Sequence, residues 1–163
     1  MSRLLADQNL ERHQMPCNSS FTWACQYEGG GGVHVLEMTP AADRSMSLVL
    51  LRIGRESGVF FKDLADHACR LLSESAVDRE PGHVVLSGAL HQRLVLDGKG
   101  PKRFPVLLPN AGGYMLFTRH PPAEFALSIS GLKLLSERQF EHASNRSGQS
   151  RRAGSRARSG ERC

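Results

Sequence analysis

The stretch Met46 to Ile53 (MSLVLLRI) constrains the fold more than any other part of the chain. A strand with one face in water alternates apolar and polar side chains. Here apolar residues occupy both phases, which predicts a strand covered on both faces. Whatever the architecture, something apolar must lie on either side of it.

The neighbouring segments indicate what that cover is made of. Phe21 to Tyr27 is aromatic and alternating, Gly29 to Gly32 interrupts it, and Val33 to Met38 resumes with β-branched residues at every other position. The simplest reading is two strands around a glycine turn. Between Val59 and Ser75 the period changes: Phe60, Leu64, His67, Ala68, Leu71 and Leu72 recur at three- and four-residue steps, with Lys62, Asp63, Asp66 and Arg70 on the other side. That spacing predicts an amphipathic helix over about 59–75, closed by Glu80-Pro81-Gly82. Short strand candidates follow at His83 to Leu86, Leu90 to Leu96, Phe104 to Leu108, Tyr114 to Thr118 and Phe125 to Ile129, parted by Gly, Pro and Asn turns. Leu132, Leu134 and Leu135 form one more short apolar element.

Many short strands, one helix and no alternation of strand with helix predict a mostly β protein. The expected form is a β-sandwich of short antiparallel strands with one inserted helix. The expected layout is a polar N-terminal arm over 1–20, a sandwich-like domain over 21–135 and a disordered Arg/Ser-rich tail over 136–163, too poor in apolar residues to fold.

Charge bears on function through its position. The chain carries 21 Lys and Arg against 16 Asp and Glu, a net +5. From Ser144 to Cys163 there are six arginines and one acid, Glu161, so the whole excess sits there. The part that folds is then neutral and has no bulk attraction for phosphate, which leaves weak, nonspecific nucleic-acid binding through the tail. Leu4, Leu5 and Ala6 are too short a run for a signal peptide or a spanning helix, so a cytoplasmic protein with no membrane association is expected. The cysteines, Cys17, Cys25, Cys69 and Cys163, form neither a disulfide framework nor a zinc-finger spacing.

No complete catalytic motif is present, and an enzyme is not expected. Gly29 to Gly32 lacks the Lys-Ser or Lys-Thr of a phosphate-binding loop and runs into a strand, and a G-x-S-x-G elbow is absent. Cys69, on the apolar side of the helix, reads as a small hydrophobe, whereas Cys25, at an exposed-looking strand end beside Trp23, reads as the reactive or ligating thiol. The most specific pattern is Tyr114 through Phe125 (YMLFTRHPPAEF), where a strand ends at His120, two prolines turn the chain rigidly, and Glu124 returns within reach of the imidazole. Imidazole and carboxylate are both ligands for divalent zinc. The competing reading puts Glu124 in a helical first turn opened by proline, with its carboxylate accepting backbone N–H bonds. A metal site would need a third ligand from His34, His91 or Cys25.

With Trp23-Ala24, Gly32 to Leu36, Asp43 to Met46 and the closing Gly112-Gly113-Tyr114 through Phe125, the chain resembles the accessory β domain associated with CobW-type zinc and cobalt metallochaperones. It departs from that pattern in Cys25 where glycine is usual, in Arg119 where an acid commonly precedes the histidine, and in lacking a downstream His-rich segment. The resemblance implies a non-catalytic accessory module in metal-ion homeostasis. Such a module would bind zinc or a similar divalent ion, or dock on a CobW-type GTP-binding partner, since this chain has no nucleotide-binding domain. The alternative from the residues alone is a metal-free protein-interaction β-sandwich.

Overall fold

The computed structural model describes residues 23–54 and 61–139. The arm expected over 1–20 and nearly all of the expected tail, from residue 140 onward, lie outside the described residues, as do Phe21 and the first residues of the expected helix.

Among the described residues ten strands form two sheets. The first carries β10 (Leu132–Gln139), β1 (Trp23–Gly29), β8 (Gly112–Thr118), β3 (Ser45–Ile53), β6 (Gln92–Val95) and β4 (Val77–Arg79), in that order across the sheet. The second carries β5 (Val85–Leu86), β7 (Lys102–Leu108), β2 (Gly32–Met38) and β9 (Ser128–Ser130). They pack face to face around one core, with Leu48, Leu50, Tyr114 and Leu116 from the first sheet against Leu36, Phe104, Val106 and Ile129 from the second. The mostly β sandwich expected from the sequence is the observed fold. Not all pairs are antiparallel, however: β4 lies parallel to β6, and β5 parallel to β7.

The helix α1 (Phe61–Ser73) covers the other face of the larger sheet. Its Leu64, Ala68, Leu71 and Leu72 meet Val49, Leu51, Met115 and Phe117. The central strand β3 is therefore apolar in both phases for a simple reason: Met46, Leu48 and Leu50 point into the sandwich, while Val49 and Leu51 point under the helix. Burying each such side chain contributes roughly 1.5–3 kcal/mol. Asp63 in the first turn and Arg70 in the last complement the helix dipole. At the C-terminal end the Ser73 hydroxyl donates to the Arg70 carbonyl at 2.6 Å, and the Arg119 guanidinium donates to the Leu72 carbonyl at 2.5 Å.

Several expectations are corrected. The strands flanking Gly29 to Gly32 exist, but they do not pair with each other: β1 belongs to the larger sheet and β2 to the smaller. The glycine run is thus a corner that hands the chain from one layer to the next. Gly32 takes φ +109°, a region closed to most side chains, and a Cβ on Gly31 would come within 3.2 Å of the Asn110 carbonyl carbon. The expected strand over 125–129 divides into a 3-10 turn, Pro122–Phe125, and the short β9, because the chain reverses at Ala126 with φ 47°. The element expected near Leu132 to Leu135 is a full edge strand that runs through Gln139, past the domain end expected at 135. Cys69 is buried between the helix and the sheet, on the apolar side of α1 as expected. Among the described residues no helix is long and apolar enough to cross a membrane.

Candidate functional site

The five residues singled out as metal ligands are placed in five separate environments. Cys25 is not exposed. It lies at 2% exposure in the core between the sheets, because β1, like β3, is covered on both faces, with Ala24 beneath the helix and Cys25 inside the sandwich. Burial pushes its thiol up from 9.0 to about 12, and the Glu137 carboxylate adds to the shift. A thiol held that firmly in its neutral form is neither a ready nucleophile nor a ready ligand.

His34 sits on β2 with both ring nitrogens turned to backbone carbonyls, Nε2 to Gly30 at 2.8 Å and Nδ1 to Ser130 at 3.2 Å. It ties the glycine corner to the turn between β9 and β10. That turn needs Gly131, which has φ +79° and whose Cβ would stand 2.7 Å from the imidazole Nδ1. Each nitrogen of His34 faces a carbonyl rather than another ligating side chain, and a neutral ring donates to one of the two.

His91 precedes β6 and is buried. Its Nδ1 lies 2.9 Å from the Glu74 carbonyl just past the helix, which makes Nδ1 the donor and leaves Nε2 as a bare acceptor. That Nε2 is buried and has no partner. Of the expected set it has the electronic form most suited to a ligand, but among the described residues it belongs to no group of three or more His, Cys, Asp or Glu side chains.

His120 and Glu124 flank the Pro-Pro turn as the sequence suggested, yet they do not pair. The imidazole Nδ1 lies 3.3 Å from the Asp43 carboxylate, and the ring meets Phe125 edge-on, with centroids 6.0 Å apart. Thr118 donates its hydroxyl to the His120 carbonyl at 2.8 Å. Glu124 occupies the first turn of the 3-10 segment opened by Pro122, with its side chain in solvent. Glu124 does stand in a helical first turn opened by proline, as the competing reading had it, but the backbone N–H bonds that reading gave its carboxylate are absent among the described residues. Among the described residues, no group of three or more His, Cys, Asp or Glu side chains is arranged to hold a metal ion.

Two functional-looking side chains were missed in the sequence. Gln92 is completely buried, and its amide pairs with Leu86 as a strand would: Nε2 donates to the Leu86 carbonyl at 2.8 Å and Oε1 accepts the Leu86 N–H at 3.0 Å. Oε1 also accepts from Arg79 Nε at 3.2 Å. One side chain thereby clasps β6 of the larger sheet to β5 of the smaller. The signal was present in the alternation, since Gln92 is in phase with Leu94 and Leu96, both of which point inward. The second is Arg119. At sequence level it reads as a positive charge unfavourable to a cation site, but it reaches away from His120 to close the helix end.

The feature that stands out chemically is the outer face of the four-stranded sheet. Val33 is 69% exposed and Leu107 40%, and they face each other in register across β2 and β7. Leu86 on β5 continues the row beside Leu107, and the next row brings Val35 opposite Pro105. Beyond them Arg103 and Glu37 form an ion pair at 2.6 Å. Among the described residues nothing covers this face, whereas the matching face of the larger sheet lies under α1.

Compared with known proteins, the chain matches no family model, no curated protein and no solved structure.

Proposed function

We propose that the chain is a non-catalytic protein-interaction module that binds another folded protein through the outer face of the β5-β7-β2-β9 sheet. The observation that carries this reading is the aliphatic surface itself: Val33, Val35, Leu86 and Leu107 stand side by side in solvent on a rigid pleated scaffold. Contiguous exposed apolar surface of this kind marks contact sites, because isolated exposed aliphatics are ordinary but rows of them are not. The face favours a protein over a nucleic acid, since its one guanidinium in these rows, Arg103, is already paired with Glu37 and offers no net positive charge to phosphate. A second pleated, apolar surface fits it, because side chains on adjacent strands, about 4.8 Å apart, interdigitate with those of a facing sheet. A role in metal handling beside a CobW-type chaperone rests on the resemblance, chiefly of the closing motif, and has no clustered ligand set behind it among the described residues.

Photo-crosslinking tests the reading. The full chain would carry a photoreactive residue at Val33 or at Leu107, with Asp63 on the outer side of α1 as the control. Protein adducts are expected from the two sheet positions and not from the helix. No adduct from the sheet, or equal adducts from Asp63, would remove it.

A further inference from the structure

The surface just described is complementary to itself, and we infer that its partner is a second copy of this chain, packed sheet on sheet about a two-fold axis. The argument rests on the interaction reading above and on the register of β7 and β2. Going along the strands, Leu107 lies beside Val33, Pro105 beside Val35, and Arg103 beside Glu37. A two-fold axis lying in the interface, parallel to the strands and midway between β7 and β2, exchanges the two columns. It sets Leu107 over the partner's Val33 and Pro105 over the partner's Val35. It also sets Arg103 over the partner's Glu37, and Glu37 over the partner's Arg103.

Every pairing between the β7 and β2 columns is then either apolar on apolar or opposite charge on opposite charge, with Ser128 and Ser130 of β9 flanking them at the rim. An axis perpendicular to the strands through the Val35 row gives no such match, because it would lay the Arg103–Glu37 row over the Val33–Leu107 row. The strands of the two copies run in the same direction in this arrangement, as in the aligned packing of two twisted sheets. Because the contact is isologous, it closes at two copies and does not propagate.

The size of the face sets the strength. β7 and β2, seven residues each, together with β5 of two and β9 of three, cover roughly 300 Å² in projection at about 4.8 Å between strands and about 3.3 Å per residue. A standard stable interface buries about 800 Å² per partner. The dimer is therefore a weak, concentration-dependent one, with a dissociation constant between about 1 μM and 1 mM.

Charge exchange between chains provides the test. Sedimentation of the full chain should show a monomer–dimer equilibrium in that concentration range. Arg103→Glu and Glu37→Arg, made separately, should each weaken self-association at least tenfold, because each homodimer places like charges across the axis. Mixed in equal amounts, the two variants should recover dimer as a heterodimer, since all-acidic rows then meet all-basic ones. Within each chain the like charges remain side by side, so this recovery cannot come from repair of the intramolecular pair. Circular dichroism and thermal melting would verify that both variants fold. Wild-type protein that stays monomeric at about 1 mM, or a mixture that recovers nothing, overturns the dimer. Photo-crosslinks from the sheet to other proteins in the absence of self-association would leave the interaction module standing and remove only its homodimeric form.

Discussion

On the outer face of the six-stranded sheet, Val49, Leu51, Met115 and Phe117 are buried beneath α1, while on the outer face of the four-stranded sheet Val33, Val35, Leu86 and Leu107 remain in water. Both faces carry apolar side chains in neighbouring rows, and both back onto one core. What differs is that the chain supplies a helix for one and, among the described residues, nothing for the other. Aliphatic side chains on a pleated surface therefore do two jobs in this protein. In one place they hold the fold together, and in the other they are free to be covered by something else.

The contrast should be largest in stability measurements. Phe117→Ala removes a fully buried ring from between the helix and the sheet and is expected to cost about 3–5 kcal/mol of unfolding free energy in a denaturant titration. A cost below about 1 kcal/mol would mean that the helix contributes little to holding the larger sheet. The next effect concerns the link between the sheets. Gln92→Leu leaves the Leu86 N–H and carbonyl without their partners, at about 1–3 kcal/mol for each orphaned group, and should also speed amide exchange at Leu86. Unchanged protection there would show that the two sheets do not depend on the clasp.

A third effect appears only in alkali. The Cys25 thiol is raised from 9.0 to about 12, and burial raises the Tyr27 hydroxyl as well, with help from the neighbouring Cys25 and Glu137. The folded state therefore binds these protons more tightly than the unfolded chain does. The resulting stabilisation is fully present below pH 9 and is lost as pH rises toward 12. Melting temperatures should fall across that window, and Cys25→Ala should flatten the fall without altering its neighbours at pH 7 beyond a uniform loss of packing. Smallest of all, Val33→Ser in dilute protein should change unfolding free energy by less than about 0.5 kcal/mol, as surface substitutions usually do. A larger loss would show that the bare face is already covered within its own chain.

The two faces also differed in how well they could be read from sequence. Met46 to Ile53 announces its double cover because both phases are apolar, and the helix announces its buried stripe at Leu64, Ala68, Leu71 and Leu72. In β2 the alternation is Val33, Val35 against His34, Leu36, and nothing local tells which set faces the core. The same ambiguity hid Cys25, since Ala24 and Cys25 are both buried on opposite sides of β1. The edge strand β10 was partly missed because a bulge between Gln26 and Tyr27 in its pairing with β1 breaks the two-residue period of LKLLSERQ. As for the candidate site, the rigid turn after His120 was legible, but its carboxylate partner was not. Asp43 approaches from a distant loop, and sequence proximity favoured Glu124 only because four residues are easier to see than a contact across the fold.

The pairing of β1 has a consequence for the order in which the protein assembles. Both neighbours of this first strand, β8 and β10, come from the last part of the described chain, with Trp23 opposite Thr118 on one side and Gln139 on the other. Closing loops of about a hundred residues is slow, because the entropy of the intervening chain is lost before the contacts that reward it form. During synthesis, β1 leaves the ribosome early and must wait, with Tyr27 and Cys25 unsheltered, until most of the remaining chain has followed. The larger sheet is thus completed from its middle outward and late, and the earliest of the described strands is among the last to find its place.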